Sequence, residues 1–234
     1  MNWARSIVNA AVSAFKKDQP LVTAEQLHKV ATSLSMERCI VLAKLFNRMC
    51  PPYGITTKNQ FHEFIANVLQ ESGECEKRQE NMNYSAQRMA EIWPARFSQS
   101  MNKPYRPNAL ALSLHRKPKE IAIATYGGRM GNRPNTDDGW TLRGGGWLGL
   151  TGMGSYEPYR KYKGFKTVEE AAEYARSSDE GALDSALWYF CIHKDLEDEA
   201  ERDEHLKIVK AINGGTIGLH DRNFYYERAK KFII

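Results

Sequence analysis

The chain is poor in the features that anchor, cross-link or metallate a protein. Only four of its 234 residues are cysteine, at Cys39, Cys50, Cys75 and Cys191. None stand at C-x-x-C spacing, which argues against a zinc or thiol-redox motif, and they read as free, partly buried thiols. No apolar run approaches the roughly 20 residues that span a bilayer, so no stable membrane insertion is expected. There is no internal repeat, low-complexity tract or linker. A glycine-rich middle is present, but it has no G-K-[ST] and no surrounding βαβ pattern, which argues against a nucleotide-phosphate loop. His62-Glu63 lacks a second His at i+4, so it is not a zinc motif. Lys and Arg are scattered rather than gathered in one segment, which speaks against a nucleic-acid partner.

What is present is ample core material and a mild positive balance. Apolar residues make up 42% and aromatics 11%, enough for one sizeable core, and the net charge is +5. That excess suits a polyanionic partner such as an acidic wall, an anionic membrane or nucleic acid, without choosing among them. The first 17 residues resemble neither a signal peptide nor a membrane anchor. Arg5, Ser6 and Asn9 break the run, and no small-residue cleavage site follows. Trp3, Ile7, Val8, Ala11, Val12 and Phe15 recur instead at helical spacing. The expectation is a monomer made in a cytoplasm.

Helical signals dominate. Thr23 is placed to cap a helix, and another spans Met36 to Met49, with Cys39, Ile40, Leu42, Ala43, Leu45 and Phe46 as its apolar side. Pro51-Pro52 and Gly54 stop it. From Thr56 or Thr57, the residues Phe61, Phe64, Ile65, Val68 and Leu69 trace a strong helical stripe, and Gly73 is a plausible cap. Short helices follow from Ser85 to Pro94 and from Pro118 to Gly127-Gly128. Residues 129–154 hold eight glycines and no usable period, which predicts tight turns with a short hairpin. Helices return over Val168 to Ala175, Gly181 to His193, Leu206 to Ile212 and Leu219 to Ile233. The fold class predicted is mainly α, as a single domain over 1–234. Residues 1–50 are helices packing on it, and no separate wall-binding module is expected.

Glu71 falls in the last turn of the Phe61 helix, off its apolar stripe, and Glu80 lies nine residues on in a polar loop. The negative end of a helix dipole disfavours ionisation of a carboxyl placed there. A protonated carboxyl and an ionised one make an acid–base pair of the kind that glycoside hydrolysis needs. By spacing alone, Glu74, Glu76 and Glu91 compete for these roles. Asp137-Asp138 reads as a polar turn ahead of Gly139 rather than a metal-ligand pair.

Six ordered motifs narrow this choice: QESG at 70–73, ENMNYS at 80–85, WPARF at 93–97, YGGRMGN at 126–132, DGWTLRGGGWLGLTG at 138–152 and INGG at 212–215. Together they resemble the chitinase-like glycoside hydrolase family 19, in its phage endolysin branch, over roughly Ala43 to Ala229. The resemblance implies a lysozyme-like, two-lobed helical fold with a small irregular or hairpin segment at the cleft. It implies inverting cleavage of β-1,4 bonds with no cofactor and no metal. Glu71 falls on the family's general acid, Glu80 on its general base, Thr151 on the hydroxyl residue that holds the water, and Asn213 on a substrate contact. Tyr84, Trp140, Trp147 and Arg222 join the expected substrate-binding set.

Three positions depart from the family pattern. Gln70 stands where the family commonly has His. Gly145 replaces the Arg of a Gly-Arg-Gly segment, and Gly149 replaces a sugar-contacting Gln. The reading is a peptidoglycan glycan-strand hydrolase, an endolysin acting on the wall in the periplasm. A chitinase is the alternative with the same chemistry. A catalytically weak wall-binding or virion-associated protein is the alternative of another class.

Overall fold

The computed structural model describes residues 20–234, so the helix expected at the N-terminus lies outside them. The described residues are mainly helical, with 61% helix and almost no strand. Its helices begin where the capping residues are. Thr23 accepts from the Gln26 N–H while the Gln26 side chain accepts from the Thr23 N–H, a capping box that opens α1 (Ala24–Val30). Ser35 caps α2 (Met36–Met49), whose Cys39, Leu42, Ala43 and Phe46 are buried. Ile40, expected on that face, is exposed. Pro51-Pro52 then turn the chain in a short 3-10 segment.

A second capping box, Thr57 with Gln60, opens α3 (Lys58–Ser72). All five residues of its apolar stripe are fully buried. Each such side chain contributes about 1.5–3 kcal/mol as an upper estimate. Gly73 ends the helix at φ +59° with its N–H on the Leu69 carbonyl, a left-handed cap that a side chain would strain.

The middle of the chain forms α4 (Ala86–Ile92), α5 (Pro94–Phe97), α6 (Ala109–Ser113), α7 (Pro118–Tyr126), α8 (Asp138–Thr141) and α9 (Met153–Lys163). The last of these carries Gly154 and Pro158, which hide it from a propensity reading. The C-terminal part forms α10 (Val168–Ser177), α11 (Asp179–Leu187), a π-helical turn over Trp188–His193, α12 (Glu197–Glu201), α13 (His205–Asn213) and α14 (Leu219–Phe232). Among the described residues no helix is long and apolar enough to cross a membrane. The hairpin expected within 129–154 is reduced to isolated bridges of Gly145 with Gln79 and with Leu150, and a separate bridge joins Ser98 and Pro107. Glycines supply no side chains to pair across a ladder, so none propagates.

The described residues gather into two compact units. Unit 1 comprises residues 20–78, Gly146–Gly149 and the segment Tyr174–Ile234. Its core is large, with α14 lying along α3 and α1 packed on α2. Trp147 belongs to this core: it is fully buried, with its ring 5.9 Å from that of Phe46. This corrects the expectation that Trp147 stacks on a sugar, since a side chain with no exposed surface cannot meet one. All four cysteines are buried free thiols of unit 1. Unit 2 comprises Gln79–Gly145 and Leu150–Glu173. It has a smaller core around Met82, Met89, Phe97, Ile121 and Ala122.

Candidate active site

In unit 1, Glu71 sits in the last turn of α3, where free carbonyls make the helix end negative. Arg222, in the first turn of α14, supplies the compensating charge, its Nη2 donating to Glu71 Oε1. The guanidinium stabilises the ionised carboxyl, opposing the effect expected from the helix end alone. Arg222 is otherwise committed. Its Nε donates to Asn67 Oδ1 at 3.0 Å and its Nη1 to the Ile217 carbonyl at 2.9 Å. Gly218, at φ +74°, lets the backbone pass beneath, since a Cβ there would lie 2.6 Å from Arg222 Nη1.

The Arg222 side chain is 2% exposed and that of Glu71 is 32% exposed. Arg222 therefore positions Glu71 from behind, which corrects its expected role as a substrate contact. Asn213 is exposed at the end of α13, and its Nδ2 donates to the same Ile217 carbonyl at 2.6 Å. Past the cap at Gly73, Glu74 accepts from the N–H and hydroxyl of Ser33 and from the Tyr225 hydroxyl, which pins the segment after Glu71.

In unit 2, Glu80 precedes α4 in a loop held by its own N–H on the Gly144 carbonyl at 2.8 Å. The Tyr126 hydroxyl, at the end of α7, reaches both carboxyl oxygens, at 2.8 and 2.9 Å. Burial pushes Glu80 above the ordinary carboxylate range. The Tyr126 hydrogen bond, the Gly144 backbone and the Arg143 charge pull it back down. Tyr126 in turn is pushed far up, first by burial and then by Glu80.

Gly144 shows how Thr151 stands relative to the carboxyl. A Cβ added there would lie 3.1 Å from Glu80 Cβ, 3.4 Å from its Oε2 and 3.5 Å from Thr151 Oγ1. Hydroxyl and carboxylate thus flank one bare stretch of backbone. Tyr84 is half-buried, edge-on to Trp93 at 5.3 Å, and is raised by burial and by the Glu80 charge. Trp140 has one face covered by the Arg143 guanidinium, 3.8 Å from the ring centroid. Arg143 also donates to the Trp140 carbonyl at 2.8 Å and to Gln79 Oε1 at 2.6 Å.

Unit 2 thus brings together Glu80, Thr151, Tyr84 and, through Arg143, Trp140. Unit 1 brings together Glu71, Arg222 and Asn213, and Trp147 stands apart in its core. Where a polar turn was expected, Asp138 opens α8 and is buried on Arg133, and Asp137 before it pairs with Lys119. Among the described residues no group of three or more His, Cys, Asp and Glu could hold a metal ion. Sequence reasoning missed Tyr126, Arg143 and Asn67. Only Asn67 left a signal, as an amide inside the apolar run of α3.

No family model matches the chain. A curated relative from Haemophilus influenzae, the "Glycosyl hydrolase family 19 domain-containing protein", is 31% identical to it over 170 residues. The match takes in 72% of this chain and 78% of that protein.

Proposed function

Because this chain belongs to glycosyl hydrolase family 19, we propose that it hydrolyses the glycan strands of bacterial peptidoglycan as an endolysin. It would be made in the host cytoplasm and would act on the wall in the periplasm as a monomer. The bond broken is a β-1,4 glycosidic bond, by an inverting mechanism. Glu71 gives its proton to the leaving oxygen, Glu80 takes one from the attacking water, and the Thr151 hydroxyl orients that water. Inversion needs carboxyls about 6.5–9.5 Å apart on either side of the sugar, to leave room for the water. Asn213 and Tyr84 are the remaining candidates for substrate contact. The observation that carries this reading is the Glu80 site. A half-buried carboxyl is held at both oxygens by one phenol, with a threonine hydroxyl on the other flank of Gly144.

Two observations favour peptidoglycan over chitin: the net charge of +5 and the wording of the motifs at 93–97 and 126–132. A gel overlay with purified peptidoglycan beside one with chitin tests the choice. Clearing of peptidoglycan is expected, and clearing of chitin alone would refute it.

The reversed assignment, with Glu80 as acid and Glu71 as base, also has an observation on its side. Burial raises Glu80, while Glu71 is paired with the Arg222 guanidinium. An aryl glycoside with a good leaving group separates the two. Loss of the acid is largely spared on such a substrate, whereas loss of the base is not. Glu71→Ala is expected to be spared and Glu80→Ala is not. The opposite pattern would exchange the roles.

A further inference from the structure

The charge of this protein is unevenly held. Over its described residues unit 1 has 16 Lys and Arg against 18 Asp and Glu, and unit 2 has 14 against 9, so unit 2 carries the positive excess. Much of unit 2's basic charge is tied up: Arg88 with Glu91, Lys119 with Asp137, Arg133 with Asp138, and Arg160 and Lys161 with Glu157. Lys103 and Arg106 are exposed and, like Arg116, Lys117, Arg129 and Lys166, have no acidic partner among the described residues; they differ in standing side by side on one loop.

They stand on a built arm, the loop at 98–107. Ser98 and Pro107 are bridged, and Gln99 donates from its N–H to the Arg106 carbonyl at 2.8 Å and from its Nε2 to the Pro107 carbonyl at 2.9 Å. The Gln87 side chain of α4 ties the arm down by donating to the Tyr105 carbonyl at 3.0 Å. A groove of about 820 Å³ lies on one side, lined by Gln87, Arg88, Glu91, Lys103, Pro104 and Tyr105, with Glu91 neutralised by Arg88 so that Lys103 is its unpaired charge. A second hollow of about 260 Å³, which shares Lys103, continues to Asn102 and Arg106.

Amide side chains and a tyrosine ring suit the hydroxyl and acetamido groups of a glycan, and unpaired cations suit carboxylates at intervals along it. Neither Glu71 nor Glu80 lines this groove. We propose that the 98–107 arm and α4 form a second binding site, separate from the reaction centre, for a carboxylate-bearing amino-sugar glycan, meaning a further stretch of peptide-substituted peptidoglycan. The ligand's identity rests on the proposed function above. The site would hold the enzyme on an insoluble strand between cuts, so it would govern binding to intact walls and not the chemistry on a short chain.

The test is co-sedimentation of the full chain with peptidoglycan stripped of attached phosphate polymers, at low and at 1 M salt, with chitin as the neutral control. The K103E/R106E double variant is expected to bind stripped peptidoglycan roughly tenfold more weakly at low salt, the effect shrinking at 1 M as the charges are screened. K103Q/R106Q should fall between the two proteins. Hydrolysis of a short soluble oligosaccharide should be unchanged in both variants, because the substituted side chains are exposed and leave both carboxyl sites untouched. Equal binding by all three proteins, or equal loss on chitin, would overturn the site. Binding that appears only on walls retaining their phosphate polymers would overturn the carboxylate ligand. If the protein cleaves no glycan, the proposed function fails by itself, and sedimentation still decides whether the groove binds.

Discussion

The two compact units hold their carboxyls in opposite ways. Unit 1 meets Glu71 with a buried cation, Arg222, and leaves about a third of the carboxyl side chain in water. Unit 2 meets Glu80 with a neutral phenol, half-buries it and lets its proton affinity rise. A fixed guanidinium favours one protonation state firmly, whereas a phenol restrains a carboxyl and leaves it close to titrating. Residues that must gain and lose protons are tuned in this second way. The comparison sets a fixed ion pair in unit 1 against a softer, neutral restraint in unit 2.

The sharpest break of that comparison is removal of each carboxyl in turn. Glu71→Gln and Glu80→Gln should each lower turnover on wall glycan by roughly 10²–10⁴-fold, the range for loss of a positioned acid or base. Their stabilities should diverge. Glu80 is raised in the folded protein, so its protonation stabilises the fold below its unfolded value, and that contribution is lost as pH rises through the folded value. A neutral Gln avoids the cost of a buried charge. Glu80→Gln should therefore melt higher than the native chain at pH 7, with the gap closing in acid. Glu71→Gln loses an ion pair and should not gain. Thermal melts of both variants at pH 7 and pH 4 check the contrast.

The next effect belongs to unit 1 alone. Trp147→Ala should cost about 3–5 kcal/mol, as the loss of a buried aromatic does. Trp147→Phe should cost less and leave KM where it was. A raised KM with unchanged stability would restore the sugar-stacking role that its burial removes. Arg222→Leu strands the buried Asn67 oxygen, at about 1–3 kcal/mol, and releases Glu71. Arg222→Lys should rescue little, because one ammonium cannot serve Asn67, Ile217 and Glu71 together. Denaturation midpoints set beside kcat separate the two losses.

Sequence legibility followed the length scale of each interaction. Helices α1, α2, α3, α4 and α7 could be read because their caps and stripes are local: Thr23, Ser85 and Pro118 act within one turn. The short α5, α6, α8 and α12 carry too few residues for a period to register. Whether an aromatic is core or platform could not be read. Trp140 and Trp147 lie in one glycine-rich motif, yet one is partly exposed under Arg143 and the other is fully buried. What meets the carboxyls was equally hidden. Arg222 lies 151 residues from Glu71 and Tyr126 46 from Glu80, and no periodicity links such distances.

The finest test exchanges the phenol for a ring of the same shape. Tyr126→Phe removes one O–H donor to Glu80 and little volume. A hydrogen bond to a charged group is worth about 1.5–3 kcal/mol, so a roughly tenfold or greater fall in kcat is expected at neutral pH. The pH profile carries more information than the rate. The lost bond had favoured ionised Glu80, so its proton affinity rises further in the variant. If Glu80 is the base, activity requires it ionised, and the acid limb of kcat should move to higher pH while the alkaline limb stays. If Glu80 is instead the acid, activity requires it protonated, and the alkaline limb should move to higher pH. If Tyr126 only packs, neither limb moves and the melting temperature alone changes. One conservative substitution thus reports whether the soft restraint on unit 2's carboxyl is catalytic, and in which direction its proton travels.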